Sequence, residues 1–386
     1  MGNPRQPALL YFSTSSKGGI ADYAQEQVKA LTSVGVSLTV LSPKGVQWPE
    51  MEGLRIIPLL EDQDFSNRSK ISKLVASIAQ TRRNISTLKK VQAETGISKV
   101  LFSSFFEYFS PFWAGMLRSM QSRGVLFGTV IHDPIRDAVV GPSWWHRWSV
   151  GQAYSFIGEA FAHDEREIDI GHLKQRPFSL SRVPHGTYEY SFHPCPYREA
   201  RQRLNIPQEA RVFLAFGHIR DNKNLDLFIR ALTDFPSARL IVAGRSLSAS
   251  QKPVTYYKEL AQELGVASRI HWVEQFIPEE DIGIYFGACD HVLLTYSSGF
   301  RSASGVLGLA GHFRKPVLAS SGPSPLQDVV QEYQLGTFVE ADSEDAIRHG
   351  IRKVLSSQTS PDWERYLQEE SWENNARIIQ KRLIES

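Results

Sequence analysis

Short apolar runs alternate with segments of helical periodicity along the whole chain. This rhythm predicts βαβ units and parallel sheets. In the first half the runs are Ala8–Ser13, Ser37–Ser42, Leu54–Leu60, Lys99–Ser104 and Val125–His132. In the second they are Val212–Phe216, Arg239–Ala243, Ile270–Val273, His291–Thr295, Pro316–Ser320 and Thr337–Glu340. The second set is the cleaner one, and several of its runs end in glycine or a polar residue, where open α/β sheets place their ligands. The expected architecture is therefore α/β, with two doubly wound, Rossmann-like parallel sheets facing a cleft. The segment "RVPHGTYEYSFHPCPYREARQRLNIP" breaks the rhythm and puts the boundary near Glu189–Pro196, giving domains 1–190 and 191–361. From Asp362 to Glu385, Trp363, Tyr366, Leu367, Trp372, Ala376, Ile379 and Leu383 fall at roughly helical spacing. They predict a kinked tail helix over 362–386 that packs back on the first domain.

The length of 386 residues agrees with two cores rather than one. A net charge of +2 excludes a general drive toward nucleic acid, so any basic site is local. Cys195 and Cys289 are the only cysteines and have neither metal nor redox spacing, which fits a reduced, cytoplasmic compartment. The N-terminus has no charged n-region with a long apolar run behind it, and Gln6 stands where myristoylation would want Ser or Thr. No apolar run approaches the ~20 residues that span a bilayer. Residues 68–90, "RSKISKLVASIAQTRRNISTLKK", hold seven Lys/Arg and no acid, interleaved with Ile71, Leu74, Val75 and Ile78. Two readings stand for them: a surface helix covering the first sheet, or a peripheral helix on the anionic inner face of a membrane. The aromatic clusters Phe105–Trp113 and Trp144–Trp148 are packing or an acceptor wall.

Three segments have the composition of a phosphate site. In "FSTSSKGGIADYA", Gly18 and Gly19 permit close backbone approach before a helix that begins near Ile20. In "FLAFGHIRDNKNLDLFIRAL", a strand ends at Gly217 and a polar turn then carries His218, Arg220 and Lys223. Arg offers a fork and Lys a point charge, a pair suited to a diphosphate. In "FRSASGVLGLAGHFRKPVLASSG", a helix begins near Ser302–Ser304, leaving the amides of Ser304, Gly305 and Val306 as donors. The competing reading of that helix is tight packing of small residues against a neighbour.

Taken in order, Gly18-Gly19, "IHDP", "VPHGTYEYSFHP", "FGHIRDNKNLDLFIRAL", "LIVAGR" and "SASGVLGLAGHFRKPVLASSG" resemble the GT-B fold retaining glycosyltransferases of family four, from about residue 8 to about 355. The resemblance implies transfer of a sugar from a nucleotide sugar to a hydroxyl acceptor, in polysaccharide or glycoconjugate biosynthesis, without a metal cofactor. It implies that Arg220 and Lys223 meet the donor diphosphate and that Ser304 and Gly305 form the phosphate-binding helix start. His132 falls near the transferred sugar, with Asp133 beside it. Gly18 and Gly19 fall on the loop facing donor and acceptor, and His185-Gly186 at the connection between domains. Gln275, Phe276 and Ile277 line the base pocket through backbone. Gly217, Arg301, Ser302 and Val306 complete the donor site.

The sequence departs from the family at two places. Many members carry two glutamates with seven residues between them, where this chain has Arg301 and Leu309, and His218 replaces a common arginine. The combination resembles a subgroup that dispenses with the glutamates. A non-catalytic sugar-nucleotide-binding scaffold and a nucleotide-sugar epimerase are the alternatives. No D-x-D triplet occurs in the second half; the one at Asp62–Asp64 reads as a surface loop. A lipid-linked saccharide is a candidate acceptor.

Overall fold

The computed structural model describes residues 8–62, 70–104, 107–132, 134, 141–187, 194–246, 251–356 and 360–385, the side chains of 70–73 excepted. The chain divides into two compact units, Met1–His185 with Trp372–Ser386, and Gly186–Ser371. The division thus falls earlier in the chain than the sequence suggested, at His185–Gly186; of the expected boundary, residues 189–193 lie outside the described set.

The first unit holds seven parallel strands: β1 Ala8–Phe12, β2 Ser37–Pro43, β3 Leu54–Leu60, β4 Lys99–Phe102, β5 Leu126–Ile131, β6 Glu159–Ala162 and β7 Ser179–Arg182. Their order is β3-β2-β1-β4-β5-β6-β7. The second unit holds six more: β8 Arg211–Phe216, β9 Ala238–Ala243, β10 Ile270–Val273, β11 His291–Thr295, β12 Val317–Ser320 and β13 Gly336–Phe338, ordered β10-β9-β8-β11-β12-β13. In each sheet the first strand lies inside, and the chain winds to one side before crossing to the other. The reversal falls between β1 and β4 in one sheet and between β8 and β11 in the other, where a doubly wound sheet opens a crevice at its carboxyl ends.

The inner strands of the second sheet are buried on both faces, while the edge strands β10 and β13 are partly exposed. Phe213 joins one core with Phe228 and Leu240, while Val212, Leu214 and Phe216 join another with Phe286 and Leu294. Such strands read as unbroken apolar runs, which is why the sequence announces them. β6 and β7 went unanticipated. β6 spans four residues and opens on Glu159, and the edge strand β7, Ser-Leu-Ser-Arg, buries none of its residues fully. Pro58 sits in β3, at the opposite edge, where a missing amide donor costs no ladder bond.

The basic segment forms the helix Lys70–Thr95, with residues 68 and 69 outside the described set. It buries Ile85, Leu88 and Val91 in the core that includes Val100 and Phe102, so this helix covers the first sheet. Val75 remains 62% exposed. Among the described residues, no helix is long and apolar enough to cross a membrane.

The tail is not one helix. Trp363–Glu369 stays with the second unit, where Tyr366 occupies the space that a Cβ on Gly311 would need, 2.7 Å away. Trp372–Ile379 belongs to the first unit, and Leu383 beyond it lies over Gly128 of β5, where a Cβ would meet it at 2.8 Å. Asn375 is fully buried in that helix. Its amide nitrogen donates to the Tyr23 hydroxyl (2.9 Å) and the Pro184 carbonyl (2.8 Å), and its oxygen accepts from Gln27 (3.0 Å). Gln27 in turn accepts from the Tyr11 hydroxyl at 2.9 Å. Removing one member of such a network strands the others in a site without water. Asn375→Ala is expected to cost on the order of 2–4 kcal/mol in equilibrium denaturation. A loss under about 0.5 kcal/mol would show that the tail is not fastened this way.

Candidate functional site

In the second unit the candidate side chains gather where β8 and β11 part. β8 ends at Phe216, and Gly217 follows with φ 81°. Its neighbour is fixed by contact: Gly244, after β9, has φ 149°, and a Cβ there would lie 2.0 Å from the Gly217 carbonyl oxygen. The two loops run together through Gly217 N–H to Ala243 O (2.9 Å) and Ile219 N–H to Arg245 O (3.1 Å). This packing leaves no room for a side chain at Gly244, and the two glycines present bare backbone at the strand ends.

The turn then forms a single 3₁₀ turn, Asp221–Lys223, followed by the helix Leu225–Ala231, with Asn224 between them in the left-handed region at φ 50°. Lys223 folds back so that its ammonium donates to the Phe216 carbonyl at 2.7 Å. Burial, with Arg220 beside it, lowers the Lys223 pKa to about 8. Arg220 itself is exposed, in extended backbone. Asp221 is anchored by the Lys252 amide (2.9 Å) and the Tyr257 hydroxyl (3.2 Å), which both donate to its Oδ1. Burial, then Arg220, Lys223 and Arg245, depress the His218 pKa, keeping that imidazole neutral at pH 7. The result is a compact cationic turn on a rigid base.

The helix Gly305–His312 supplies the second part, with Ser304 as its cap. The Ser304 hydroxyl does not cap its own helix; it pairs with the buried Tyr296 hydroxyl at 3.0 Å. The Leu307 amide reaches the Ser304 carbonyl at 2.9 Å. By position, the Gly305 and Val306 amides have no acceptor within the helix. Val306 approaches the cationic turn, for its Cγ2 would be 3.9 Å, and Lys223 Nζ 3.8 Å, from a Cβ on Gly217. Packing explains only part of the small-residue pattern. Gly311 makes room for Tyr366, but a Cβ on Gly305 or Gly308 would meet nothing within 4 Å.

The loop between β11 and this helix is tied to the turn. The Ser297 amide donates to the Asn222 carbonyl (2.8 Å), and the Thr295 hydroxyl donates to the Lys223 carbonyl (2.9 Å). Gly217, Arg220, Lys223, Ser304, Gly305 and Val306 therefore share one region. Arg301 and Ser302 lie exposed on the connecting loop. Gln275, Phe276 and Ile277 follow β10, two strands away from β8, with Ile277 buried and Phe276 66% exposed beneath the Arg245 guanidinium at 5.8 Å. Tyr296, Ser298 and Asp342 had no motif to mark them, and Asn224 lay inside the quoted cation turn without being assigned a role. The one legible signal was a polar residue closing each apolar run.

In the first unit the turn after β1 carries Gly18 at φ 82° and the helix Gly19–Ser33 begins beside it, a residue before the expected Ile20. One turn on, the Tyr23 ring meets His132 edge-on at 4.8 Å, His163 at 5.4 Å and His185 at 5.7 Å. His132 follows β5, and its Nε2 lies 2.8 Å from the Ser103 carbonyl after β4. A carbonyl only accepts, so Nε2 carries the proton. Burial first, then His185, holds the His163 pKa well below its usual value. The sequence did not single out Tyr23 or His163. Asp133, expected beside His132, lies outside the described residues. Among the described residues, no group of three or more His, Cys, Asp or Glu is spaced to hold a metal ion.

Residues 196–378 match the family described as Glycosyl transferases group 1. The chain is 30% identical over 199 residues to a D-inositol 3-phosphate glycosyltransferase of Mycobacterium tuberculosis, a match covering 47% of this chain and only 39% of that relative. Over 98% of both chains the fold is that of sucrose-phosphate synthase from Thermosynechococcus elongatus, with TM-score 0.64 and 16% identity. The Anabaena protein HepE, solved in complex with UDP and glucose, matches over 97% of this chain and 95% of its own with TM-score 0.60 and 15% identity. The match to the group 1 glycosyl transferases thus lies in residues 196–378, and the two parallel-sheet units have the GT-B fold of these solved structures.

Proposed function

We propose that this chain moves a glycosyl group from a nucleoside diphosphate sugar to a hydroxyl acceptor with retention of configuration. The observation that carries the reading is the meeting of Lys223, the Arg220 turn and the Gly305 helix start at the carboxyl ends of β8 and β11, within the family-matched unit. In that reaction the bond from the sugar C1 to the β-phosphate oxygen breaks and a bond from C1 to the acceptor oxygen forms on the same face. The acceptor proton passes to the departing phosphate. Negative charge grows on the diphosphate as C1 becomes oxocarbenium-like. A cation about 4 Å away stabilises that charge by roughly 4 kcal/mol at an effective dielectric of ~20. This is worth about a thousandfold in rate where it acts only as the charge develops. The Gly305 and Val306 amides add donors that need no reorganisation. His132 and Gly18–Gly19 are assigned to the sugar and acceptor side, and Gln275–Ile277 to the base. That HepE holds UDP and glucose supports a nucleotide sugar as donor.

Incubation with UDP-, ADP- and GDP-sugars separates this reading from its rivals. Transfer or slow donor hydrolysis supports it, isomerised donor indicates an epimerase, and binding without turnover indicates a scaffold. Arg220→Ala and Lys223→Ala are each expected to lower turnover by about 10²–10³-fold. The Lys223 pKa of about 8 sets a pH window. A bound diphosphate raises that pKa, so affinity is full below pH 8 and falls as pH rises through it, by calorimetric titration. Lys223→Arg should flatten the profile; a slope that survives would remove Lys223 from the diphosphate.

Arg220, Lys223 and the helix amides stand where a metal would otherwise balance the leaving group, so we also propose that no metal takes part. Activity is expected to survive EDTA, and loss on chelation with recovery on adding Mg²⁺ or Mn²⁺ would refute the assignment.

For the acceptor side we propose peripheral contact with an anionic membrane through the helix Lys70–Thr95 and a lipid-linked saccharide as acceptor. Val75, Arg82 and Lys89, seven residues apart, form one exposed stripe of this helix. Arg82 donates to the Phe112 carbonyl at 3.3 Å, where Phe112, Trp144 and Trp148 expose 47%, 67% and 41% of their surface around Trp145. Exposed indoles beside cations suit the headgroup region. Co-sedimentation with phosphatidylglycerol vesicles, weakening with salt and with Trp144→Ser, is the expected result. Equal binding to phosphatidylcholine vesicles would refute it.

A further inference from the structure

Five described residues other than glycine have positive φ: Asn205, Asn224, Arg314, Gln334 and Asp342. Two of them are bonded to each other. Asn224, at φ 50°, ends the cationic turn, and its amide donates to Asp342 Oδ1 at 2.9 Å. Asp342, at φ 59°, lies beyond β13, and its Oδ2 accepts from both the Ser298 amide (2.9 Å) and the Ser298 hydroxyl (2.5 Å). One carboxylate thus grips the turn after β8 with one oxygen and the loop after β11 with the other. Left-handed backbone costs free energy at residues with a Cβ and persists where surrounding bonds compensate for it, which happens most often at functional sites.

The geometry points to Asp342 as a positioning residue for the diphosphate, one that holds the Arg220–Asn224 turn and the loop leading to the Gly305 helix start at a fixed separation. The inference rests on the donor-site reading above. Asp342 belongs to neither anion-binding segment, and an acid has no direct use beside a diphosphate. Its value is that both segments are bonded to the same rigid, planar group. The turn and the loop have two further ties, the Ser297 amide to the Asn222 carbonyl and the Thr295 hydroxyl to the Lys223 carbonyl, both closer in sequence to the end of β11. Asp342 is the tie at the outer end. Without it, the cations and the helix amides no longer arrive at one anion together. A misplacement of about 1 Å is enough to cost as much as a hundredfold in a preorganised site.

Calorimetric titration of the full chain with UDP, ADP and GDP tests this, because it separates affinity from the fraction of folded molecules. Asp342→Ala is expected to weaken binding of the preferred diphosphate roughly tenfold or more with stoichiometry unchanged. Asn224→Gly removes the same bond while accepting the left-handed backbone, so it should reproduce the loss without strain. The double variant should bind no worse than either single variant, the signature of one shared interaction. Unchanged affinity in Asn224→Gly, or lower stoichiometry at unchanged affinity in Asp342→Ala, would overturn the positioning role and leave the donor reading intact. Failure of the unaltered chain to bind any of the three nucleotides would overturn both.

Discussion

The second unit depends on a constraint of topology. β8 lies next to β11, but the chain leaves β8 toward β9 and returns only later on the other side. The loops that follow these two adjacent strands must therefore diverge, and no crossover helix fills the space above them. Backbone groups at the strand ends are left facing outward, and buried polar backbone has to find partners. Here the partners are side chains and neighbouring loops: Lys223 on the Phe216 carbonyl, Thr295 on the Lys223 carbonyl, the Gly217 amide on the Ala243 carbonyl. What remains is a cationic turn and a helix start with amides to spare.

The same interactions that satisfy the backbone also tune the chemistry. Lys223 is held by a carbonyl rather than by a carboxylate, so nothing cancels its charge, and burial has pushed its pKa down toward neutrality. Asp221, the acid nearest in sequence, is committed to Tyr257 and the Lys252 amide. Asp342 is committed to Asn224 and Ser298. These acids are held by neutral donors and keep their charge, so the local field is set by where the Arg220 and Lys223 cations stand relative to them.

The first unit solves a different problem. Its tail returns from the second unit to cover β5, and the return is fixed by polar bonds through Asn375 rather than by apolar area alone. Such a network specifies one arrangement because any other leaves buried groups unpaired. The ring of Tyr23, bonded to that network by its hydroxyl, is also the surface on which His132, His163 and His185 meet. Tail docking and the environment of His132 are therefore linked through one side chain.

All six strands of the second sheet were legible in the chain's hydrophobic pattern, the inner ones most clearly because strands buried on both faces read as apolar runs. β6 and β7 were not: each is four residues long, β6 opens on Glu159 and β7 reads Ser-Leu-Ser-Arg, so neither presents an apolar run for the pattern to mark. Glycine and cation placement likewise disclosed Gly217, Arg220, Lys223 and Gly305, since close approach and charge each require particular residue types. The chain could not disclose which glycines pack and which stay open. Gly311 faces Tyr366 and Gly305 faces nothing, a distinction made by a helix more than fifty residues away. Nor could it show that Asp342 spans 118 residues to reach Asn224. Local sequence determines which elements form and what chemistry they carry; only the tertiary structure decides which distant polar groups become partners, because hydrogen bonds act over about 3 Å in space and leave no period along the chain.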